Sequence, residues 1–477
     1  MLWGGLNDYE KDVLGKSLGN IFKSASLANA PAEFKTKSDE INSVVQDIQK
    51  KVDSDFQTKV GELFPTLAIF GYPGLQDPNL SATTELNVKS LLESSTKVHY
   101  KKGDHFSLPE TYNGLGARNL IYILFQIYEF FRNYQSAEQE AKGHLIFIEE
   151  PEAHLHPQMQ EVFIRQLNYI VAEFENQFNN GEKWPLQFVV STHSTHIANE
   201  ADFDIIRYFM SKKENETVVK DLGKTFESEE YKQDKEFIHK YLTLTKSDLY
   251  FADKAIMVEG TTERILLPEI IRKIDTSKST ELRRNYLSVV EIGGAYAHHF
   301  YKFLDFLELK TLVVTDLDCV MQKKSKKSDK NVYSSSHFSE STHSSNIGLS
   351  KWFEENGYSL LPNLTKKTDT DKVKGFRRLA FEIPEEGRIA CGRSFEDAFI
   401  LANRELFGLE NEIDEKQAEK GAFKEAEKIG KKSKANFAIK YAIEETNWKI
   451  PKYIEDGLLW LSTDAFEKAI ISIGDQK

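Results

Sequence analysis

Cysteine is almost absent from this 477-residue chain, which has only Cys319 and Cys391. That excludes a disulfide scaffold and a cysteine-based zinc site, and it fits a reducing compartment, the cytoplasm. Long apolar runs are lacking too. None approaches the roughly 20 residues a membrane helix needs, so no membrane partner is expected. The start, Met1-Leu-Trp-Gly-Gly-Leu-Asn-Asp, has neither the basic residues nor the apolar stretch of a signal peptide. Positive charge is not in excess either, the net charge being -12. This argues only weakly against nucleic acid, because acids can gather at metals or lie on distant faces.

What is present is a chain too long for one core, so two or three domains are expected. Hydrophobic residues make up 40% and charged residues 29%, ordinary values for a globular protein. The strongest signal is a pair of acidic clusters, each at the end of an apolar run. Lys254-Ala-Ile-Met-Val258 reads as a buried strand and leads into Glu259-Gly-Thr-Thr-Glu263. Thr311-Leu-Val-Val-Thr315 reads as another and leads into Asp316-Leu-Asp318. Acids at the C-terminal ends of neighbouring parallel strands point into one crevice. They repel one another unless a cation lies among them, and oxygen ligands suit Mg²⁺ or Mn²⁺. Phosphodiester chemistry is the expected use.

Periodicity places the remaining elements. An amphipathic helix, with Ile41, Val44, Val45, Ile48 and Val52 on one stripe, is expected within an insertion at about 35–65. A strand at 97–101 precedes the turn Asn113-Gly-Leu-Gly116 and a helix over 117–134. His144 to Ile148 reads as a buried strand ending in Glu149-Glu150, and Pro157 is placed to start the next helix. Gln187 to Val190 is a strand ending in Ser191-Thr-His-Ser194. The charged stretch 211–240 reads as exposed linker. From Lys254, strands (254–258, 287–291, 311–315) alternate with helices (262–274, 296–309), which implies a parallel sheet with right-handed crossovers. The Ser- and Lys-rich segment 321–347 reads as mobile, and residues after 403 read as helical. Two basic runs, Lys323 to Lys330 and Lys366 to Arg378, are open between a solvated loop and a phosphate-tracking loop beside the acids. His154, His156, His298 and His299 have no cysteine nearby and no H-E-x-x-H spacing. They read as loop histidines rather than zinc ligands.

Glu149-Glu150 after an apolar strand has the arrangement of a Walker B element. The first acid suits Mg²⁺ and the second suits orienting or deprotonating a water. His193, at the end of the next strand, is placed to sense a γ-phosphate. The glycine turn at 113–116 opens a helix and could offer N–H groups to a phosphate across a dimer. The string G-x-x-x-x-G-K-[ST] does not occur. Gly15-Lys16-Ser17 is a partial match in which position 10 is Glu. The chain therefore reads as N-terminally incomplete for ATP binding.

Phe147-Ile-Glu-Glu-Pro-Glu-Ala-His-Leu-His-Pro157 with Ser191-Thr-His-Ser194 resembles the ABC-type ATPase of the OLD (overcoming lysogenization defect) family. Val258-Glu-Gly-Thr-Thr-Glu263 and Val314-Thr-Asp-Leu-Asp318 resemble its Toprim module. The order of the two, over roughly residues 95–440, is similar to the nuclease subunits of Gabija anti-phage systems. The resemblance implies an α/β fold in three parts. Residues 1–248 would be the C-terminal part of an ABC-type ATPase domain. Residues 249–402 would be a Toprim nuclease domain, a parallel sheet flanked by helices, and residues 403–477 a helical C-terminal region. It implies Glu149 on Mg²⁺, Glu150 as catalytic base, Glu152 to His156 as the D-loop and His193 as switch histidine. Gly114 and Gly116 would stand in the signature loop. It also implies that Glu259, Glu263, Asp316 and Asp318 hold one or two Mg²⁺ or Mn²⁺ ions, with ATP as the second cofactor. Three further residues stay open. Glu291 is a ligand or an ordinary strand-end acid. Glu396 is a ligand or a helix N-terminal acid. Lys434 stabilises phosphorane charge or belongs to a solvated lysine run.

The leading function is a metal-dependent DNA endonuclease coupled to an ATPase module, in anti-phage defence or DNA processing. Expected partners are duplex DNA, a second copy of the chain and a helicase-type subunit. The alternative is a non-nucleolytic ATPase or DNA-binding regulator with a vestigial Toprim module. Topoisomerase-like strand transfer would need a tyrosine in a separate gate domain, for which the chain has no room.

Overall fold

A computed structural model of the chain describes Leu2–Trp3, short stretches between residues 50 and 112, and then most of the chain. The later stretches are 114–135, 142–213, 216–245, 248–293, 296–324, 331–355, 358–410 and 414–463. Gly15-Lys16-Ser17, the stripe from Ile41 to Val52, Asn113, Gly294 and Lys326, Lys327 and Lys330 lie outside the described residues. Two compact units divide the chain, Met1–Asp202 and Phe203–Lys477.

The first unit opens with β1 (Leu2–Trp3) and an antiparallel meander of β2 (Leu80–Thr84), β3 (Thr96–Lys102) and β4 (Phe106–Pro109). Then come α1 (Leu115–Gln135), β5 (His144–Glu149), α2 (Pro157–Phe178), β6 (Leu186–Ser191) and α3 (Thr195–Glu200). β1, β5 and β6 run parallel in that order. Leu120, Leu124, Ile127 and Phe131 of α1 meet Phe163, Leu167, Ile170 and Phe174 of α2 over Ile146 and Ile148 of β5. Both helical sets recur at the spacing of one helix face. The run His144 to Ile148 reads as buried throughout, but burial alternates along β5. Leu145 and Phe147 are 51% and 37% exposed. Among the described residues the helices cover one face of this sheet.

The second unit begins with a hairpin, β7 (Arg207–Lys213) and β8 (Glu216–Asp221), followed by α4 (Lys232–Thr245). The stretch 211–240 is thus folded, contrary to its reading as linker. Its apolar residues are few, but they fall on one side: Leu222, Phe226, Ile238 and Leu242 are buried. Its charges are paired, with Lys212 and Lys220 both on Glu308 at 2.5 and 2.8 Å.

Alternating elements follow: β9 (Lys254–Val258), α5 (Thr261–Lys278), β10 (Leu287–Glu291), α6 (Tyr301–Leu307) and β11 (Lys310–Val314). A second small sheet holds β12 (Cys319–Lys324), β13 (Asn331–Ser335), β14 (His343–Ser344) and β15 (Ser359–Leu360), in the order β13-β12-β14-β15 and antiparallel. α7 (Ile347–Trp352) lies between the last two in sequence. Much of the described part of 321–347, read as mobile, lies in strands. Backbone ladders hold it, and composition carries no sign of those.

β16 (Val373–Lys374) and β17 (Arg377–Ala380) complete the main sheet, whose order is β10-β9-β11-β17-β16. β10, β9, β11 and β17 are parallel. The later part of its basic run is paired within the fold, while Lys366 is exposed. Arg377 makes a two-pronged pair with Asp305 at 2.7 and 2.8 Å, Arg378 meets Asp369 at 2.9 Å, and Lys374 meets Glu354 at 2.9 Å. Lys372 is buried over the Phe381 ring.

α8 (Phe395–Ala402), α9 (Glu415–Lys432), α10 (Lys434–Ile439) and α11 (Lys452–Ser462) close the chain. Every residue of β9 and β11 is buried, as expected for parallel strands covered on both faces. Ile256, Val258, Leu312, Val314 and Ala380 pack with Ile270 of α5, Phe399 of α8, Phe437 of α10 and Leu458 of α11 in one cluster. The terminal helices thus share the core of the sheet. No described helix is long and apolar enough to cross a membrane.

Candidate functional site

In the first unit, β5 and β6 end side by side, with Glu149 paired to Ser191. Glu149 is exposed there. Glu150 then takes φ 42°, a left-handed conformation uncommon for a residue with a side chain, and its N–H donates to Ser191 O at 3.0 Å. The bend aims Glu150 at His193, whose Nε2 lies 3.4 Å from Glu150 Oε1 in an open setting. The His193 N–H donates to Glu152 Oε1 at 2.7 Å, and the second oxygen of Glu152 is buried without a partner. His156 caps α2 through its ring, and Pro157 occupies the first turn as expected. Gly116 packs against this same turn: a Cβ there would meet His154 O at 2.5 Å. Gly114 is exposed, and nothing lies within 4 Å of where its Cβ would be.

In the second unit, Glu259 leaves the end of β9, and Gly260 starts α5 so that Glu263 falls in its first turn. Asp316 follows β11, the neighbouring strand. The residues are locked together. Glu259 Oε2 accepts from Thr315 Oγ1 at 2.8 Å and from the Asp316 N–H at 3.0 Å. Asn346, at the start of α7, donates to Thr315 Oγ1 and to Asp316 O, both at 2.8 Å. Asp316 Oδ1 accepts from the Phe395 N–H at 3.0 Å, which fixes the start of α8 against β11. Glu396, one residue on, is 2% exposed and accepts from Thr262 Oγ1 at 3.0 Å. Lys434 Nζ, from the start of α10, lies 3.0 Å from Glu396.

Sequence reasoning missed Glu382. It stands two residues past β17, is 1% exposed and hydrogen-bonds Asp316 through its carboxyl. Its Oε2 accepts from the Leu317 N–H at 2.6 Å, and its Oε1 has no partner. The signal was there, since Leu379-Ala-Phe-Glu382 is again an apolar run closing in an acid. Asp397 was missed too. It is buried and held by Ser394 Oγ at 2.7 Å.

Burial dominates the electrostatics. It raises the Glu263 carboxyl to about 7, with Glu396 and Glu259 adding repulsion. Burial, then Glu382, Glu259 and Glu263, push Asp316 well above the usual range, and burial does the same to Glu382. Asp397 rises to about 6, again through burial. Burial disfavours the Lys434 charge, but Glu396, with Asp316 and Glu263 behind it, more than offsets this and raises it.

Two expected ligands sit differently. Asp318 takes φ 46° and faces Arg393 at 3.5 Å, its carboxyl raised mainly by burial, with Arg393 and then Lys434 opposing. Glu291, on the edge strand, accepts from Thr261 Oγ1 at 2.7 Å and pairs with Arg264 at 3.3 Å. Contacts thus join Glu259 and Glu382 to Asp316 and Glu396 to Lys434, the charges of Glu396 and Glu259 act on Glu263, and Asp318 and Glu291 have other partners. Among the described residues no three acids, histidines or cysteines yet surround one metal-sized position.

Residues 5–198 match the AAA ATPase domain. Residues 250–318 match the TOPRIM domain of overcoming lysogenization defect protein-like sequences. The chain pairs an ATPase domain with an OLD-like TOPRIM domain. It is 28% identical over 412 residues to Endonuclease GajA of Bacillus cereus strain HuB5-5, covering 79% of this chain and 57% of that protein. It is 27% identical over 207 residues to the OLD nuclease of Thermus scotoductus, 42% of this chain and 34% of that one. With the Old nuclease of Escherichia phage P2 the figures are 24%, 56% and 42%. The chain therefore spans about half the length of the curated relatives it matches. The TOPRIM match contains Glu259, Glu263, Asp316 and Asp318, while Glu382, Glu396 and Lys434 lie beyond its end.

Proposed function

We propose that the chain is a DNA endonuclease of the OLD type that cuts a phosphodiester at the TOPRIM crevice with Mg²⁺ or Mn²⁺. The observation that carries this is the gathering of Glu259, Glu263, Asp316 and Glu382 at the ends of adjoining parallel strands. Burial, with the neighbouring carboxylates adding repulsion, pushes Glu263, Asp316 and Glu382 up in pKa. A divalent cation fits that chemistry. The donors are all carboxylate oxygens, the ligand type such a cation takes. Glu259, Glu263 and Asp316 would hold the cation, with Asp318 and Glu396 as further carboxylates. When bound, it supplies Lewis-acid polarisation of the phosphate and a more acidic water.

The protein's own part is to exclude bulk water, keep the acids in register through Thr315 and Asn346, and present Lys434. The Lys434 ammonium is placed to meet charge that builds on the phosphate oxygens. In the ATPase domain, Glu149 is the acid for Mg²⁺-ATP, and Glu150 with His193 is the pair that senses or activates a water at the γ-phosphate. A second copy of the chain would bring the Gly114 turn to that nucleotide. DNA is the substrate, anti-phage defence in the cytoplasm is the setting implied by the motif resemblance to Gabija nuclease subunits, and a helicase-type subunit is the further partner.

Plasmid DNA incubated with purified protein tests the reading. Nicking or cleavage should appear with Mg²⁺ or Mn²⁺, stop with EDTA, and vanish in Asp316→Asn, which keeps the shape of the side chain. Cleavage that survives chelation would overturn the metal reading. Cation binding without any cleavage would favour the regulator over the nuclease.

A further inference from the structure

We propose that Tyr453 is a positioning residue of the acidic crevice, its hydroxyl donating to Glu382 so that Glu382 holds Asp316 in the orientation that takes a divalent cation. The inference rests on the metal reading above.

The course of α11 brings Tyr453 there. The Lys452 N–H, at the start of this helix, donates to Glu385 Oε1 at 2.9 Å, just past the strand ends that carry the acids. At its other end, Ser462 O accepts from Lys254 at the start of β9, and Thr463 Oγ1 accepts from Lys310 at the start of β11 at 2.9 Å. The helix therefore runs back along the sheet, opposite to the strands. Gly457 lets it lie close, since a Cβ there would meet Leu312 Cδ1 at 2.8 Å. Tyr453 stands one turn nearer the crevice, beneath the ends of β11 and β17.

The side chain is 3% exposed, and its hydroxyl has no hydrogen-bond partner. Burial, followed by the charges of Glu382, Asp316, Glu263 and Glu396, holds the phenol in its protonated form, and a Cβ at Gly457, one turn on, would meet Ala380, two residues before Glu382, at 3.4 Å. Glu382 Oε1 is also buried and unpartnered. One orphan is a donor and the other an acceptor, in the same cluster. A buried hydroxyl without a partner destabilises a fold, and phenylalanine would fill the same space without it. The hydroxyl is accounted for if it pairs with Glu382 when the Asp316 carboxyl turns to a cation. Outer partners of this kind orient ligands and commonly change metal affinity by about 10–100-fold.

Tyr453→Phe removes the oxygen and keeps the ring. Titration calorimetry with Mn²⁺ should show roughly tenfold weaker binding, with an unchanged or higher melting temperature in EDTA. Cleavage should need correspondingly more Mn²⁺ while kcat at saturation changes less. Glu382→Gln and the double variant complete a cycle, and the double variant should lose little beyond Glu382→Gln alone. Unchanged Mn²⁺ affinity in Tyr453→Phe, or strictly additive losses, overturns the inference. Wild-type protein that binds no Mn²⁺ overturns the metal reading, and this inference with it. Binding in the wild type that is lost in Asp316→Asn but kept in Tyr453→Phe overturns this inference alone.

Discussion

Lys434 Nζ lies 3.0 Å from Glu396 Oε1, and the two residues, each at the start of its helix, are 38 apart in sequence. The glutamate is buried, whereas the lysine side chain is 55% exposed and can still face a ligand. A lysine in a solvated run would touch no such partner. Lys434→Met should reduce DNA cleavage by about 100-fold or more, the scale expected when a charge-stabilising donor is lost. Because the lysine is half in solvent, the stability loss should be only about 1 kcal/mol. Nicking assays and urea titration on one preparation separate the two effects. Unimpaired cleavage would return Lys434 to the solvated reading.

The acidic crevice should make the metal-free protein less stable as pH rises. Glu263 is raised to about 7 and Asp397 to about 6, so each binds its proton more tightly in the folded chain than in the unfolded one. Their stabilisation is complete below the unfolded carboxylate range near pH 4 and is lost as pH climbs to 6 and 7. Asp316 and Glu382, raised by burial, act in the same direction. Glu415 does the opposite: Arg404 holds it down at about 2, so its contribution is lost only as acid takes the pH towards that value. Melting scans in EDTA should fall between pH 5 and 8, and Mn²⁺ should reverse the fall because ligands bind deprotonated. A melting temperature that rises over this interval in EDTA would contradict the assignment.

The two glycines of the signature-like turn should separate packing from phosphate contact. Gly116→Ala places a methyl against His154 O, a backbone atom that cannot step aside, and should cost about 1–3 kcal/mol. Gly114→Ala meets nothing and should leave the melting temperature within a degree or two. If Gly114 serves nucleotide through its N–H, its alanine variant should weaken nucleotide-driven self-association in light scattering while the fold is intact.

ATP turnover by this chain alone should be low. Glu150 and His193 face each other at 3.4 Å, yet no G-x-x-x-x-G-K-[ST] string occurs to cradle the phosphates. A phosphate-release assay that finds robust turnover, abolished by Glu150→Gln, would show that another segment forms the cradle. Lys16 would be the first residue to replace.

Much of this protein was legible residue by residue. The spans 254–258 and 287–291 came out as strands, the first an apolar run buried at every residue and the second, on the sheet edge, buried at alternate ones. The pairing of Glu259 with Asp316 followed from parallel order alone, since acids at neighbouring strand ends must share a crevice. Glu382 escaped notice because β17 opens with two arginines, and charge at the start of a short strand looks like loop. Asp305, 72 residues from Arg377, makes that charge internal, and no local pattern announces such a partner.

The hairpin at 207–221 was missed for a related reason, its lysines being neutralised by Glu308, which belongs to a later helix end. Local spacing thus determined which residues are strands, which are acids at their ends, and what chemistry such acids suit. Which acid shares a proton with which, that Glu291 and Asp318 answer to Arg264 and Arg393, and that Tyr453 lies beneath the crevice were decided only by folding. Charges interact through space rather than along the chain, so their partners are set by the packing of the sheet and its helices.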